Sequence, residues 1–486
     1  MLDNLPVIIV VSLLMTGFLA PLFVGKFRRT TQVVAGMLTL AAAGASAVLL
    51  YRALNTGPVY TALGGWEAPW GIEVVVTPLS AFIMLVLTTI VSLVMFYMPH
   101  EQEDWPNQKV GWYITLVLLL TAALLGLTMS NDLFNMYVFL EVSALASFGI
   151  VAAKKDRNAG DAALKYLVLA TIGSGFVLFA IGITYAVTGY LNLGFASQAL
   201  AEGQFHPIIT WIIATFFLVG FGIKAGLFPL HVWLPDAHSS APTSASALLS
   251  GVVVKVYAVV MARVFFGLFG GAGLEALGIS SLIRIAASLS ILAGSAFALV
   301  QTDIKRMLAY STVAQVGYIF LGFGLGGVYG VAAALYHVFI HGLMKSTLFL
   351  SSGKVVELRG GSRDISGFNG VGKLLPIPMA AFTLAALSMV GLPILAGFAT
   401  KWYLFDAGLS AGIYWVPVVV IISSLLNAAY FLPIVWRVWF GETEAHEVSN
   451  RRVPGLIPLA LILAVVGLIP GPILRVLEEA AVWLIS

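Results

Sequence analysis

The chain has 486 residues, of which 60% are hydrophobic and only 10% charged, with a formal net charge of +3. A soluble domain carries about 25% charged residues, so this composition, with a mean hydropathy of +0.99, makes lipid the expected solvent. Cysteine is absent, which excludes disulfides, thiolate zinc sites, cysteine-ligated iron–sulfur clusters and c-type haem attachment; no basic tract with interleaved aromatics marks a nucleic-acid partner.

The N-terminus, Met1 to Val24, has no basic residue ahead of its apolar run, and Lys26, Arg28 and Arg29 follow it. A secretory signal has the opposite order, so a retained first helix with its N-terminus outside is expected. A spanning helix needs about 20 apolar residues. Fourteen segments qualify, at 5–24, 32–53, 75–98, 111–130, 132–153, 163–189, 208–228, 241–268, 281–300, 304–325, 328–350, 375–404, 411–437 and 455–480. Only Ser130, Asn131 and Asp132 separate the fourth from the fifth. The connection Pro58 to Gly71, with Trp66 and Trp70, belongs at the outer interface, where tryptophan is favoured. The chain divides into residues 1–105 with three helices, 106–270 with the next five, 271–440 with a further five, and 441–486 with the last. With this layout seventeen of the 25 lysines and arginines lie in loops on one side and four on the other. That bias makes the basic side cytoplasmic and puts both termini outside the cell membrane.

The remaining basic residues, Lys224, Lys255, Lys345 and Lys401, fall inside spans, as does Glu141. Each charge at the bilayer centre costs on the order of 3 kcal/mol or more, so such residues are functional candidates. Desolvation weakens a buried ammonium, which lets a lysine release and accept protons near neutral pH. Glu141 and Lys224 suit a modulating pair, the carboxylate favouring the charged lysine. The alternative for each is a snorkelling or structural ion-pair residue, and Lys345, near the end of its span, is most open to it.

The seventh span contains Gly220, Gly222, Lys224, Gly226 and Pro229; the twelfth contains Gly391, Pro393, Gly397 and Lys401. Glycine and proline break helices, and freed carbonyls at membrane depth are tolerated where they line protein or water. Broken helices in two halves mark transporter repeats, and an offset of five helices inverts one repeat relative to the other. Packing kinks are the rival explanation. On the eleventh span His337, His341 and Lys345 are spaced by four and share a face, which suits a hydrated path with a group that titrates near neutral pH. Two histidines four apart also fit zinc, but the zincin glutamate and any thiolate are missing, so no metal is expected.

From Lys224 to Lys255 the chain reads KAGLFPLHVWLPDAHSSAPTSASALLSGVVVK, and from Asp303 to Tyr318 it reads DIKRMLAYSTVAQVGY. Both resemble the antiporter-like subunits shared by respiratory complex I, membrane-bound hydrogenases and Mrp-type sodium/proton antiporters, over roughly residues 70 to 440. The resemblance implies an all-α polytopic fold of about fourteen transmembrane helices in two inverted five-helix repeats, with helices seven and twelve broken. It also implies a proton wire through Glu141, Lys224, Lys255, His337 and Lys401, with His337 and His341 at the family's bridging position. A proton would enter from the cytoplasm in the first repeat and leave outward near Lys401. Stretches such as GLPILAGFATKWYL look most like the Mrp D-type subunit. The expectation is therefore a proton-translocating subunit of a cation (Na+)/proton antiporter in a prokaryotic cell membrane. Its partners would be other membrane subunits, H+, Na+ and lipid, with no cofactor of its own. The alternative is a redox-driven pump subunit of a complex I-like quinone oxidoreductase or hydrogenase.

A stand-alone enzyme and a passive scaffold fit less well. Gly322 to Gly327 matches a glycine-rich dinucleotide pattern, but no strand precedes it. No Walker A lysine is followed by serine or threonine. A scaffold gains nothing from a row of intramembrane lysines. The basic, glycine-rich loop from Lys354 to Lys373 suits solvent, a neighbouring subunit or lipid headgroups.

Overall fold

A computed structural model describes residues 2–154, 157–203, 205–442 and 453–485. Nearly all of it is helical, as a chain in lipid must be to satisfy its backbone polar groups internally. Helix α1 (Leu5–Thr56) spans 52 residues, with a non-helical Phe27 inside. A straight helix of that length would be about 78 Å long. Yet Arg52 reaches back to Asp3, Nη2 to Oδ1 2.6 Å, so α1 is two antiparallel arms meeting near Phe27. The guanidinium of Arg52 holds the exposed Asp3 carboxyl below its ordinary pKa. At the elbow Arg28 donates to the carbonyls of Gln102 and Trp105, tying the arms to the next connection.

After the arms, β1 (Val59–Ala62) and β2 (Glu73–Val76) form an antiparallel hairpin. This corrects the all-α expectation: the third predicted span loses its first residues to a strand, because Glu73–Val76 pairs with β1 before the helix begins. Trp66 and Trp70 at its tip are 71% and 89% exposed.

The first four helices that follow lie near predicted spans. They are α2 (Pro78–Glu101), α3 (Asn107–Met129), α4 (Leu133–Val151) and α5 (Arg157–Thr188), then a short surface α6 (Leu193–Glu202). Helix α7 (Pro207–Ala225) stops in mid-span, and α8 (Trp233–Ser240), α9 (Thr243–Leu248), a π segment (Leu249–Val253) and α10 (Val254–Ala276) continue from it. Then come α11 (Ile279–Leu299), α12 (Ile304–Leu325) and α13 (Gly327–Leu358), followed by a turn of helix α14 (Val371–Leu374). Helix α15 (Pro376–Val390) breaks before α16 (Ala396–Ser410); α17 (Trp415–Phe440), α18 (Leu456–Leu468) and α19 (Gly471–Ile485) complete the chain.

Among the described residues, eleven helices are long and apolar enough to cross a membrane, or twelve if α18 and α19, bent by 83°, form one span. Helices α10, α12 and α13 are buried along most of their length, whereas α1 and α17 turn large apolar side chains such as Leu22 and Leu425 outward. Helix α13 is the hub, packing against α12, α15, α16, α18 and α19. The glycine-rich stretch at Gly326–Gly327 is the turn between α12 and α13, with φ of 66° and 61°, a conformation natural to glycine.

Candidate functional site

Helix α4 starts where Asp132 accepts from the backbone N–H of Asn135 at 2.7 Å, a normal N-cap. Nine residues on, Glu141 faces α5 and α7. Its Oε1 lies 3.4 Å from Lys224 Nζ and accepts from the hydroxyl of Ser174. Lys224 is 1% exposed and Glu141 30%. Lys224 sits at the end of α7 because Gly226 takes a left-handed conformation (φ 72°) and stops the helix. Trp233 then folds back: its indole Nε1 donates to the Ile223 carbonyl at 2.8 Å, and its ring stacks on Tyr166 with centroids 4.0 Å apart. The break is therefore locked by packing and a hydrogen bond, which fixes the pair Glu141–Lys224.

The other three intramembrane lysines are also buried and donate largely to carbonyls rather than carboxylates. Lys255 donates to the Ser250 carbonyl in the π segment. Lys345 donates to the Leu308 carbonyl at 2.7 Å and to the Ser311 hydroxyl. Lys401 donates to the carbonyls of Val390 (2.6 Å) and Met389 (3.2 Å), beside Gly391 at φ 85°. The carbonyls that end α15 have no onward helical partner and carry the negative end of the helix dipole, so an ammonium suits them.

Between these lysines lie aromatic and imidazole rings. His337 and His341 stack with centroids 5.3 Å apart, and Tyr318 lies 5.4 Å from His337. The ammonium of Lys401 is 5.7 Å from the Tyr318 ring. Lys255 is within electrostatic reach of both histidines, and Lys401 of His337. His341, His337, Tyr318 and Lys401 thus form a row of neighbours. Glu141 and Lys224 stand apart from it: among the described residues no hydrogen bond joins Lys224 to Lys255. The Tyr257 hydroxyl lies 2.9 Å from Ser143 Oγ, joining α10 to α4. Both ring nitrogens of His337 and His341 are buried without a protein partner. Among the described residues no three or more histidine or acidic side chains gather as metal ligands would.

Several further polar groups are buried. The loop count above includes Lys305 on the basic side, yet it is 4% exposed and donates to the Ala241 carbonyl at 2.9 Å. Arg263 and Arg284, counted on the opposite side, are buried as well. Arg263 caps the end of α3 through the carbonyls of Thr128 and Ser130, and Arg284 pairs with Glu275 at 2.9 Å. Lys354 is 3% exposed and paired with Glu357. Lys305, Arg284 and Lys354 lie near helix ends, where counting residues cannot tell loop from core, whereas Arg263 lies in the middle of α10. Lys155, Arg451 and Arg452 lie outside the described residues. His238, inside the LPDAH stretch, is buried with both nitrogens unpartnered and stacks on Phe349 at 5.1 Å.

Glu101 closes the α8–α9 corner. Its two carboxylate oxygens accept from the backbone N–H groups of Thr243 and Ser244. Glu101→Gln is expected to destabilise the corner by about 1 kcal/mol, the usual worth of a helix cap. A fall in the thermal midpoint of the detergent-solubilised protein, with transport largely retained, checks this.

The family described as NADH:quinone oxidoreductase/Mrp antiporter, transmembrane, matches residues 130–427. The chain belongs to this family. The N-type subunit of the NADH-quinone oxidoreductase of Desulforudis audaxviator (strain MP104C) is 40% identical over 460 residues, covering 93% of this chain and 90% of the relative. The D-type subunit of the Na(+)/H(+) antiporter of Alkalihalophilus pseudofirmus is 29% identical over 479 residues, covering 96% and 95%. A chain of the membrane-bound sulfane sulfur reductase, an archaeal respiratory membrane complex, superposes with a TM-score of 0.92 at 27% identity over 99% of this chain and 98% of its own. A chain of the Mrp complex from Dietzia sp. DQ12-45-1b shares the fold, with a TM-score of 0.88 at 23% identity and coverage of 100% and 98%. Within the NADH:quinone oxidoreductase/Mrp antiporter family, these likenesses do not single out the D-type antiporter chain, which the sequence reading favoured: the N-type relative is the more similar of the two.

Proposed function

We propose that this chain is a proton-translocating membrane subunit of a multisubunit complex. The observation that carries the reading is the buried row of His341, His337, Tyr318 and Lys401, together with a separate buried Lys224 paired with Glu141. Intramembrane charge is costly and persists where ions or protons move. Buried imidazole nitrogens without a protein partner fit a hydrated path, since buried polar groups otherwise find partners. Family membership and the respiratory and antiporter complexes among the relatives supply the context of partner subunits.

The finer layout belongs to the same proposal. Two five-helix repeats, within fourteen spans, are supported by paired features. Asp132 and Asp303 each cap a helix and each form a short bridge, to Asn192 and Asp364. Gly226 and Gly391 each end a broken helix in the left-handed conformation. The basic face is the cytoplasmic one, on the lysine and arginine bias.

For the energy source there are two readings. A D-type subunit exchanging Na+ for H+ follows from stretches such as GLPILAGFATKWYL and from the antiporter relatives. A redox-driven pump subunit is favoured by the 40% identity to the N-type chain of a quinone oxidoreductase. Purifying the chain from native membranes and identifying its partners by mass spectrometry separates them. Small membrane subunits alone support the antiporter; a co-purifying iron–sulfur or flavin arm supports the pump and rules out secondary antiport.

A further inference from the structure

A cavity of about 240 Å³ opens on the basic face beside α12 and α17. Its mouth carries the exposed polar side chains of Thr302, Asp364, Ser366 and Arg437, and its inner wall includes buried Tyr430. The polar groups continue inward from that wall. The Tyr430 hydroxyl donates to Asn427 Oδ1. Asn427, fully buried, donates from Nδ2 to the Met389 carbonyl at 3.3 Å. The same carbonyl accepts from Lys401. Tyr430 also lies beside Ser311, whose hydroxyl accepts from Lys345. One tyrosine therefore stands between a solvent-facing cavity and two of the buried lysines.

We propose that Lys401 has its own access route from the basic face, through this cavity and past Tyr430 and Asn427. This reverses the outward exit expected near Lys401, and it rests on the reading of the row as a proton path. Water moving from the cavity to Lys401 needs polar anchors, since apolar voids stay dry. The Tyr430 hydroxyl, the Asn427 amide and the Met389 carbonyl supply them. A water at the inner end gives its proton to the neutral amine of Lys401, and the hydroxide left behind takes a proton from the next water out. The net result is one proton moved inward and no other change. Tyr430 and Asn427 are positioning residues here: they hold water and are not themselves protonated.

The test uses the full chain in its native complex and exploits its lack of cysteine. Ser388→Cys places a thiol on the last turn of α15, one residue before the Met389 carbonyl that accepts from Lys401, and Ser366→Cys places one at the mouth. In everted vesicles, where the basic face is outward if cytoplasmic, a small cationic methanethiosulfonate should label both. Adding Tyr430→Phe or Asn427→Leu should slow labelling at 388 by about tenfold, the change expected from one lost hydrogen bond, and leave 366 unchanged. Both variants should slow proton translocation similarly. Labelling of 388 only from the opposite face, or a rate unmoved by either variant, overturns the route. Loss of transport in Glu141→Gln alongside normal transport in Tyr430→Phe overturns the route and leaves the proton path standing. Unimpaired transport in both overturns the proton path itself.

Discussion

Glu141→Gln is expected to reduce proton translocation by roughly tenfold or more, since proton transfer through a positioned side chain is worth about 10²–10⁴ in rate. The geometry gives the reason. Lys224 is almost completely enclosed, and among the described residues its carboxylate partner is Glu141 at 3.4 Å. Glutamine keeps the size and can still accept from Ser174, but it carries no charge. Lys224 then loses the electrostatic partner that would modulate its proton affinity. Lys224→Ala should be at least as damaging, because it removes the proton-carrying group and leaves a cavity. The double variant Glu141→Gln with Lys224→Met should insert and assemble better than either single change, since an unpaired buried charge costs more than none. Acidification of everted vesicles, followed with a pH-sensitive dye, reads transport; assembly is read by co-purification. Normal transport in both single variants would sink the proposed role of the pair.

Gly397→Ala should be among the most disruptive single-methyl changes in the chain. A Cβ at this position would lie 1.8 Å from the Ser388 carbonyl oxygen, so backbone must move. Overpacking typically costs about 1–3 kcal/mol, and more where a rigid backbone is the obstacle. The displaced segment is the corner where α15 hands over to α16, and it carries the carbonyls that hold Lys401. The variant should therefore lose transport together with thermal stability. Gly175→Ala is the control, because nothing lies within 4 Å of its Cβ; it should behave as the wild type.

Much of this architecture can be read from the residues. Long apolar runs locate the helices, because lipid imposes a length and a composition that water does not. The breaks at Gly226 and Gly391 are legible because glycine beside proline has few other uses in a membrane helix. Lys224, Lys255, Lys345 and Lys401 stand out against an apolar background, and all four are buried. What stays hidden depends on three-dimensional proximity. Ser174 and Tyr257 look like ordinary residues of their helices until α4 packs beside them. Lys305 and Arg284 sit near helix ends, where a few residues of offset decide between solvent and core; Arg263, in the middle of α10, is buried where that helix passes the end of α3. The β hairpin at Val59–Val76 reads as apolar lead-in to a span, since a valine run suits strand and helix alike. The two arms of α1 are legible as separate segments, because the basic cluster at Lys26–Arg29 interrupts the apolar run even though the helix is nearly continuous there.

The π segment at Leu249–Val253 carries a consequence of indexing. It places one residue more in its turn than an α-helix would. Were it to relax to α geometry, everything beyond it would rotate about the axis by about 100°, the angle of one residue at 3.6 per turn. Lys255 would swing off Ser250 and away from the histidines. Tyr257 would lose Ser143, and Arg263 would leave the carbonyls that end α3. A single wide turn thus sets the rotational phase of a whole helix, aiming an ammonium, a phenol and a guanidinium at three different neighbours at once. Deleting Gly251 removes that extra residue, so the turn should close to α geometry with the phase of the helix beyond it kept, and Tyr257 and Arg263 should hold their partners.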